Sequence, residues 1–317
     1  MKLLKLVPDH TNLDFMRWRN LALVLSLIAT VASIAFTAYR GLNLGIDFIG
    51  GQVIRVEFQQ PVKIDDLRTR VARLGVGEAS IQALGNDRTY QVRLPKPEGP
   101  EAASNQVVTA VRALIIKDYP GVKVTAGESV SGKVSGELAW DGALAIGLAM
   151  LGIAIYIWFR FEWQFGVGAL VTLFHDVAMV LGFFALTQLQ VDLNIVAAFL
   201  AIVGYSLNDT VVIYDRIREN LRKYRKMEIV SLLNFSLNET LSRTIVTSLS
   251  IMLALAVLLA LGPDVLFGLT IAILLGTFIG TYSSIYISSP ALVWMGLKPD
   301  SFIKAEADED VTVAKPV

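Results

Sequence analysis

The sequence has 317 residues, 28 Lys plus Arg against 28 Asp plus Glu, and hence a formal net charge of zero; 54% of its residues are hydrophobic and only 18% are charged. A soluble globular chain averages roughly 45–50% apolar and about 25% charged residues, so disorder is excluded, more apolar side chain is present than one water-facing core needs, and the neutral balance gives no general case for a nucleic-acid partner. No cysteine and only two histidines are present, which excludes disulfides, thiolate metal sites and a cysteine nucleophile and leaves little material for a zinc centre.

The first stretch, residues 1–20, carries Lys2, Lys5, Arg17 and Arg19 and is expected to be a cytoplasmic N-terminus. Leu21–Ala38 follows without a charge. Its length, about 18 residues, suffices to cross a bilayer, and backbone groups in hydrocarbon must be satisfied internally, so the span is a helix, placed at residues 21–39. A cleaved signal peptide has an apolar run of about 7–15 residues and a small-x-small cleavage site; this run is longer and no such site follows it, so a retained anchor is expected.

Residues 40–136 have soluble-domain composition. Gln52–Phe58 sets Val53, Ile54, Val56 and Phe58 around Arg55 and Glu57, a strand pattern. Ile64–Leu74 places Ile64, Leu67, Val71 and Leu74 at helical spacing, with Asp65 and Asp66 in its first turn. Ser80–Leu84 and Thr89–Leu94 read as strands joined through Gly85-Asn86-Asp87. Ala102–Lys117 is a second helix and Gly121–Gly127 a last strand. The order β-α-β-β-α-β is the ferredoxin-like arrangement. It carries no metal, nucleotide or nucleophile motif, and a fold alone names no function.

Five more apolar runs follow: Leu138–Phe159, Phe165–Leu189, Leu193–Tyr214, Thr244–Leu261 and Val265–Ser289. They make residues 137–295 transmembrane helices 2–6. The expected fold class is therefore an α-helical membrane protein with six spans and an external α+β domain between the first two. Short basic loops stay inside. Arg160, and the segment 216–243 with Arg216, Arg218, Arg222, Lys223, Arg225, Lys226 and Arg243, alternate correctly with outside turns that lack Lys and Arg. Both termini are then inside and residues 40–136 outside, since long domains cross regardless of charge. Trp18, Trp158 and Trp163 fall at the inner boundaries, as an aromatic belt requires. The tail 296–317, with Glu306, Asp308, Glu309 and Asp310, is expected to be cytoplasmic and disordered.

Ionisable groups inside these runs are the functional candidates, because a carboxylate at the bilayer centre costs roughly 2.5–3.5 kcal/mol on insertion scales. Asp176 lies mid-run in the third span beside His175. An ion path and a satisfied polar knot both account for Asp176, and His175, about 100° round the helix, need not act with it. In the fourth span Ala197, Ala201, Gly204 and Asn208 form a small-residue stripe suited to helix packing. Asp209 stands beside this stripe with no cation within one turn of its own helix, so its partner must come from elsewhere. Asp215 and Arg216 read as a boundary ion pair. Arg243 heads a polar face with Thr247 and Ser250 at i, i+4 and i+7. It is either an inner-interface charge or, if its helix starts upstream near Leu237, a membrane partner for Asp209. The sixth span repeats Ala272, Gly276, Gly280, Ser284 and Ser288, a second close-packing face. Tyr214-Asp215 invites an intramembrane aspartyl protease, but the second Asp setting, Gly45-Ile46-Asp47, lacks the middle glycine and lies outside the first span, so that chemistry is set aside.

Taken together, certain residues resemble a known family. Asp14-Phe15-Met16-Arg17-Trp18, Gly45-Ile46-Asp47-Phe48-Ile49-Gly50-Gly51, Phe159-Arg160-Phe161-Glu162-Trp163 and His175-Asp176 occur in that order. They are followed by Gly204-Tyr205-Ser206-Leu207-Asn208-Asp209-Thr210, Asp215-Arg216-Ile217-Arg218-Glu219-Asn220, Arg243-Thr244 and Thr247-Ser248. The set, spread over nearly the whole chain, resembles the SecF family of bacterial protein-export membrane subunits. The resemblance implies half of a resistance-nodulation-division bundle completed by a six-span SecD partner. It implies a complex in the bacterial inner membrane that works with the SecYEG channel on preproteins, with YajC a further candidate partner, and it implies no cofactor, metal or enzymatic catalysis. The proton-motive force would drive export, with proton-path residues carried onto Asp209 and Arg243. Asn208, Asp176 and Thr247 join that path as candidates, and His175, Tyr205, Asp215 and Arg216 as support. Two other readings remain open: half of a proton-driven small-molecule or lipid exporter of the same superfamily, and a structural assembly subunit without proton chemistry.

Overall fold

A computed structural model of the chain describes residues 11–74, 79–84, 88–94 and 101–298. Lys2, Lys5, the Gly85-Asn86-Asp87 turn and the tail beyond Lys298 lie outside the described residues.

Helix α1, Arg19–Arg40, ends at Gly41, whose φ of 73° no β-carbon opposes. A short helix α2, Ile46–Ile49, leads into the α+β domain. There β1 (Gly51–Glu57), α3 (Ile64–Ala72), β2 (Ser80–Ala83), β3 (Thr89–Leu94), α4 (Glu101–Asp118) and β4 (Lys123–Val130) follow in order. The helices α5 (Gly132–Arg160), α6 (Trp163–Thr187), α7 (Leu193–Lys223), α8 (Ile229–Leu261) and α9 (Phe267–Ser283) follow. A wider π-turn, Ser284–Ser288, then joins α9 to α10 (Ser289–Trp294). Among the described residues, six helical segments are long and apolar enough to span a membrane.

The sheet order is β2-β3-β1-β4 with every neighbouring pair antiparallel, the ferredoxin-like order. Alternation decides which face is covered. Ile54, Val56, Phe58, Tyr90, Val92 and Ile81 pack with Leu67 and Val71 of α3 and Val111 and Ile115 of α4. The other face carries Arg55, Gln91 and Arg93. The last strand lies downstream of its expected place, at Lys123–Val130, because its register is set by pairing with β1.

The polar face of the sheet is joined to the near end of the bundle. The segment after α1 exchanges backbone hydrogen bonds with the α6–α7 turn: Gly45 N donates to Val191 O (2.7 Å) and Val191 N to Asn43 O (2.8 Å). Arg93, 7% exposed, donates through Nη1 to Leu44 O (2.6 Å). Gln91 donates to Gln190 Oε1 (3.3 Å). Burial pushes the Arg93 guanidinium below its ordinary range, and the carboxylates of Asp47 and Asp192 oppose that shift. Both carboxylates also serve the start of α7: Asp47 accepts from Leu193 N (2.9 Å) and Asp192 caps Ile195 N (3.2 Å). Arg93→Ala should therefore loosen the seam while the spans keep their helicity. Hydrogen exchange should rise in 89–94 and 43–47; unchanged exchange there would show that the guanidinium contributes nothing to docking.

Two helices run past their apolar segments. The expected basic loop 216–243 is mostly helical: α7 reaches Lys223, α8 begins at Ile229, and only 224–228 connects them. Interhelical polar contacts hold the extensions together. Arg216 pairs with Glu219 (2.7 Å) and with Glu239 of α8 (3.3 Å). Asn220, buried, donates to Ser236 Oγ (2.9 Å) and Glu239 (2.7 Å). Apolar composition marks where lipid lies, whereas helix length follows backbone hydrogen bonding, which continues into water while side chains support it. The expected Asp215–Arg216 pair is corrected by the same contacts, since Asp215 pairs with Arg160 at the end of α5 (2.9 Å). Neighbours in a helix point about 100° apart and meet different partners.

The π-turn has a local cause. Pro290 has no N–H to return to the carbonyl four residues back, and the helix widens just before it.

Candidate functional site

Helices α6, α7, α8 and α9 bring the polar residues of the bundle together. Glycine sets the close approach of α7 and α9. A β-carbon on Gly276 would fall 2.4 Å from Ile202 Cγ1, and one on Gly280 would fall 3.2 Å from Ser206 Cβ. The expected packing role of Ala201 and Gly204 is not fulfilled within this chain. Both are exposed, and nothing lies within 4 Å of a β-carbon built on Gly204. The packed face of α7 is instead Ala198, Ile202, Ser206 and Asp209, all buried. Two stripes at helical spacing run along α7, and the shape of α9 selects between them.

The first polar cluster surrounds Asp176, 1% exposed on α6. Its Oδ1 lies 2.9 Å from His175 Nδ1, and its Oδ2 accepts from Ser206 Oγ of α7 (2.5 Å) and Ser283 Oγ of α9 (2.9 Å). His175 and Asp176 therefore do meet, against the expectation that they need not: the imidazole is long enough to bridge the angle between adjacent positions. The carboxylate ties three helices, which is the satisfied knot a buried charge requires.

The second cluster surrounds Asp209, buried on α7. Tyr205, one turn before it, donates to Ser248 Oγ of α8 (2.8 Å), and Ser248 Oγ lies 2.8 Å from Thr281 Oγ1 of α9. A line of hydroxyls thus crosses three helices beside the carboxylate. Asp209 Oδ2 itself has no hydrogen-bond partner, and the buried hydroxyls of Thr210, Thr244 and Thr277 have none either. Arg243 lies on the neighbouring helix α8, but among the described residues it forms no ion pair with Asp209 within 4.0 Å. The expected direct pair is therefore corrected. Arg243 is exposed on α8.

Depth agrees better than contact. At about 1.5 Å per residue, Asp209 lies about 24 Å below the start of α7 and Arg243 about 27 Å below the end of α8. A hydrocarbon layer about 30 Å thick that began at those two helix ends would hold both in its far third. Of the remaining candidates, Thr247 spends its hydroxyl on Arg243 O (2.9 Å) and Thr244 O (3.0 Å) of its own helix. Asn208 is exposed and outside the Asp209 cluster. Ser283 and Thr281 do not stand out from the sequence as site residues. Their signal is the density of Ser and Thr from Thr277 to Ser289, a weak one because none of them ionises.

The bundle, its glycine-set helix crossing and the two buried carboxylates define a multi-pass membrane protein with polar chemistry at membrane depth and a ferredoxin-like domain at one end. Residues 111–298 match the family described as protein export membrane protein SecD/SecF, C-terminal, and residues 40–62 match the SecD/SecF GG motif. A protein translocase subunit SecF of Rhodobacter capsulatus is 40% identical over 318 residues, covering 96% of each chain. That of Pseudomonas aeruginosa is 41% identical over 300 residues, covering 95% of this chain and 97% of its own. The crystal structure of SecDF from Thermus thermophilus, described as a translocon-associated membrane protein, superposes with a TM-score of 0.85 at 33% identity. It covers 92% of this chain, which spans 40% of that longer one. A SecDF structure in a super-membrane-facing form superposes with a TM-score of 0.64 at 31% identity, over 97% of this chain and 41% of its own. The chain belongs to the SecF family of protein translocase subunits, and is a protein-transport component.

Proposed function

We propose that the chain joins a six-helix SecD partner and uses the proton-motive force to promote preprotein export through the SecYEG channel, with Asp209 as the proton-binding group. The observation that carries this reading is the buried Asp209 carboxylate, one oxygen unpartnered, beside a three-helix hydroxyl line. A structural knot would be satisfied, as Asp176 is. A carboxylate left short of partners at membrane depth is suited to taking up and releasing a proton.

The partner is supported by what the chain leaves uncovered. Asn208 and Arg243 are exposed at membrane depth, where polar groups face a protein interior or a water-filled cavity. A second bundle over these faces would supply that surroundings, and the SecDF structures match this chain over two fifths of their length. Loss of the Asp209 charge would then alter the set of helix contacts, and the seam through Arg93 and α7 would carry the movement to the α+β domain. The basic ends of α5 and α7 support an inner-membrane orientation with both termini cytoplasmic and residues 40–136 periplasmic.

Purification in mild detergent should recover a second six-span protein with this chain, and vesicles holding the complex should export preprotein faster under an imposed proton-motive force. Export of small molecules or lipid instead, or assembly with no response to the force, would favour the two competing functions. For orientation, a reporter inserted at Lys96 should be active only on the periplasmic side, and a cytoplasmic signal would invert the assigned topology.

A further inference from the structure

At the end of the bundle away from the α+β domain, a cavity of about 500 Å³ opens between α5 and α7. It is lined by Arg160, Asp215, Arg218, Glu219, Arg222 and Lys223, four cations against two carboxylates, an excess of two positive charges. We propose that this cavity binds the phosphodiester headgroup of an anionic membrane phospholipid.

The wall is fixed before any ligand arrives. Arg160 is held by Asp215 (2.9 Å) and lies over the Phe161 ring (4.9 Å). Arg218 donates to Arg160 O (3.2 Å) and faces Glu162 (3.5 Å). Glu219 is engaged by Arg216 (2.7 Å). Arg222 and Lys223 remain in the last turn of α7 without a carboxylate partner among the described residues. Lys223 Nζ rests 5.1 Å from the centre of the Tyr224 ring, so its charge is placed but not neutralised. An arginine fork and an ammonium at one rim suit a phosphate better than a single carboxylate.

Position favours a lipid over a soluble phosphate. Trp158 is 68% exposed and Phe159 86%, immediately before Arg160, and Trp163 follows at 52%. Bare aromatics at a span boundary mark the headgroup level of the membrane. They offer acyl chains a surface directly below the cations, and basic pockets between spans on one membrane face bind anionic headgroups. The excess of two positive charges matches a headgroup with two phosphodiesters better than one with a single phosphodiester. The site lies apart from Asp209 and does not depend on the function proposed for it.

The test is lipid titration of the full-length protein, followed by native mass spectrometry, with phosphatidylglycerol, diphosphatidylglycerol, phosphatidylcholine and soluble glycerol phosphate as probes. Diphosphatidylglycerol should bind tightest and phosphatidylglycerol next. Each cation near an anionic surface contributes about a fivefold factor, so Arg222→Gln with Lys223→Gln should weaken both by about 30-fold and leave phosphatidylcholine unchanged. Both substitutions are at exposed positions, and an unchanged thermal unfolding midpoint would confirm that the variant folds. Equal binding of phosphatidylcholine, undiminished anionic-lipid binding by the variant, or glycerol phosphate binding as tightly as the lipids would each overturn the proposal.

Discussion

Asp209→Asn is expected to leave a folded, partner-associated protein whose preprotein export no longer responds to an imposed proton-motive force. Asparagine keeps the volume and one acceptor of a side chain that is 3% exposed, so packing on α7 survives while the titratable charge is lost. One proton crossing 100 mV releases about 2.3 kcal/mol. An interhelical hydrogen bond in a membrane contributes roughly 0.6–2 kcal/mol. One protonation event is therefore enough to exchange one set of such bonds for another, and the hydroxyl line from Tyr205 through Ser248 to Thr281 is the set adjoining the carboxylate. Asp209→Glu should retain part of the response, because the charge persists on a longer arm. Arg243→Ala should also abolish it, although no ion pair joins the two residues, because the field of the guanidinium is removed. The measurement is export into vesicles with and without an imposed potential, scored together with recovery of the partner. An Asp209→Asn protein whose export still rises as in the wild type would show that the proton binds elsewhere.

Gly276→Leu should destabilise the bundle by about 1–3 kcal/mol or more, the range for forcing extra methylenes into a packed core. The β-carbon alone would meet three atoms of Ile202 at 2.4–2.8 Å, and Ile202 is itself buried, 1% exposed. Gly280→Leu should act through another neighbour. Its β-carbon meets Ser206 at 3.2 Å, and Ser206 holds Asp176, so the substitution would pull on the knot between α6, α7 and α9. Leu274→Ala, off the contact stripe and half-buried, should cost less than either. Ile202→Ala should recover part of the loss in Gly276→Leu, a coupling that independent sites would not show. Thermal or denaturant unfolding in detergent measures all four. Equal tolerance at Gly276, Gly280 and Leu274 would place the stripe against lipid instead. Gly204→Leu should leave the stability of the isolated chain unchanged, since nothing lies within 4 Å of its β-carbon.

These two outcomes separate what could be read locally from what could not. Asp209 was legible as a candidate because a lone carboxylate in an apolar run is costly wherever its helix lies. Its surroundings were not legible. Thr281 is 72 positions away in sequence, and its hydroxyl was one among many in a run without ionisable groups. Arg243 was found from its polar face, but whether it touches Asp209 depends on the rotation of α8 about its own axis, which a helical repeat does not fix. The same holds on α7, where the stripe through Ala201 and Gly204 and the face through Ile202 and Ser206 are equally regular.

The sequence by itself determined the six spans and the ferredoxin-like order of the α+β domain. These depend on the length of apolar runs and on side-chain periods of 2 and about 3.6, properties that each segment carries alone. Only the tertiary structure decided that α9 meets α7 through Gly276 and Gly280, that Asp176 is tied to His175, Ser206 and Ser283, and that Asp209 is left with an unpartnered oxygen. It also decided that α7 and α8 continue beyond their apolar runs and that Arg93 joins the sheet to the bundle. Each of these follows from which face of one element meets which face of another. That choice is made by close packing between residues far apart in the chain, where the absence of a single β-carbon can decide which helices touch.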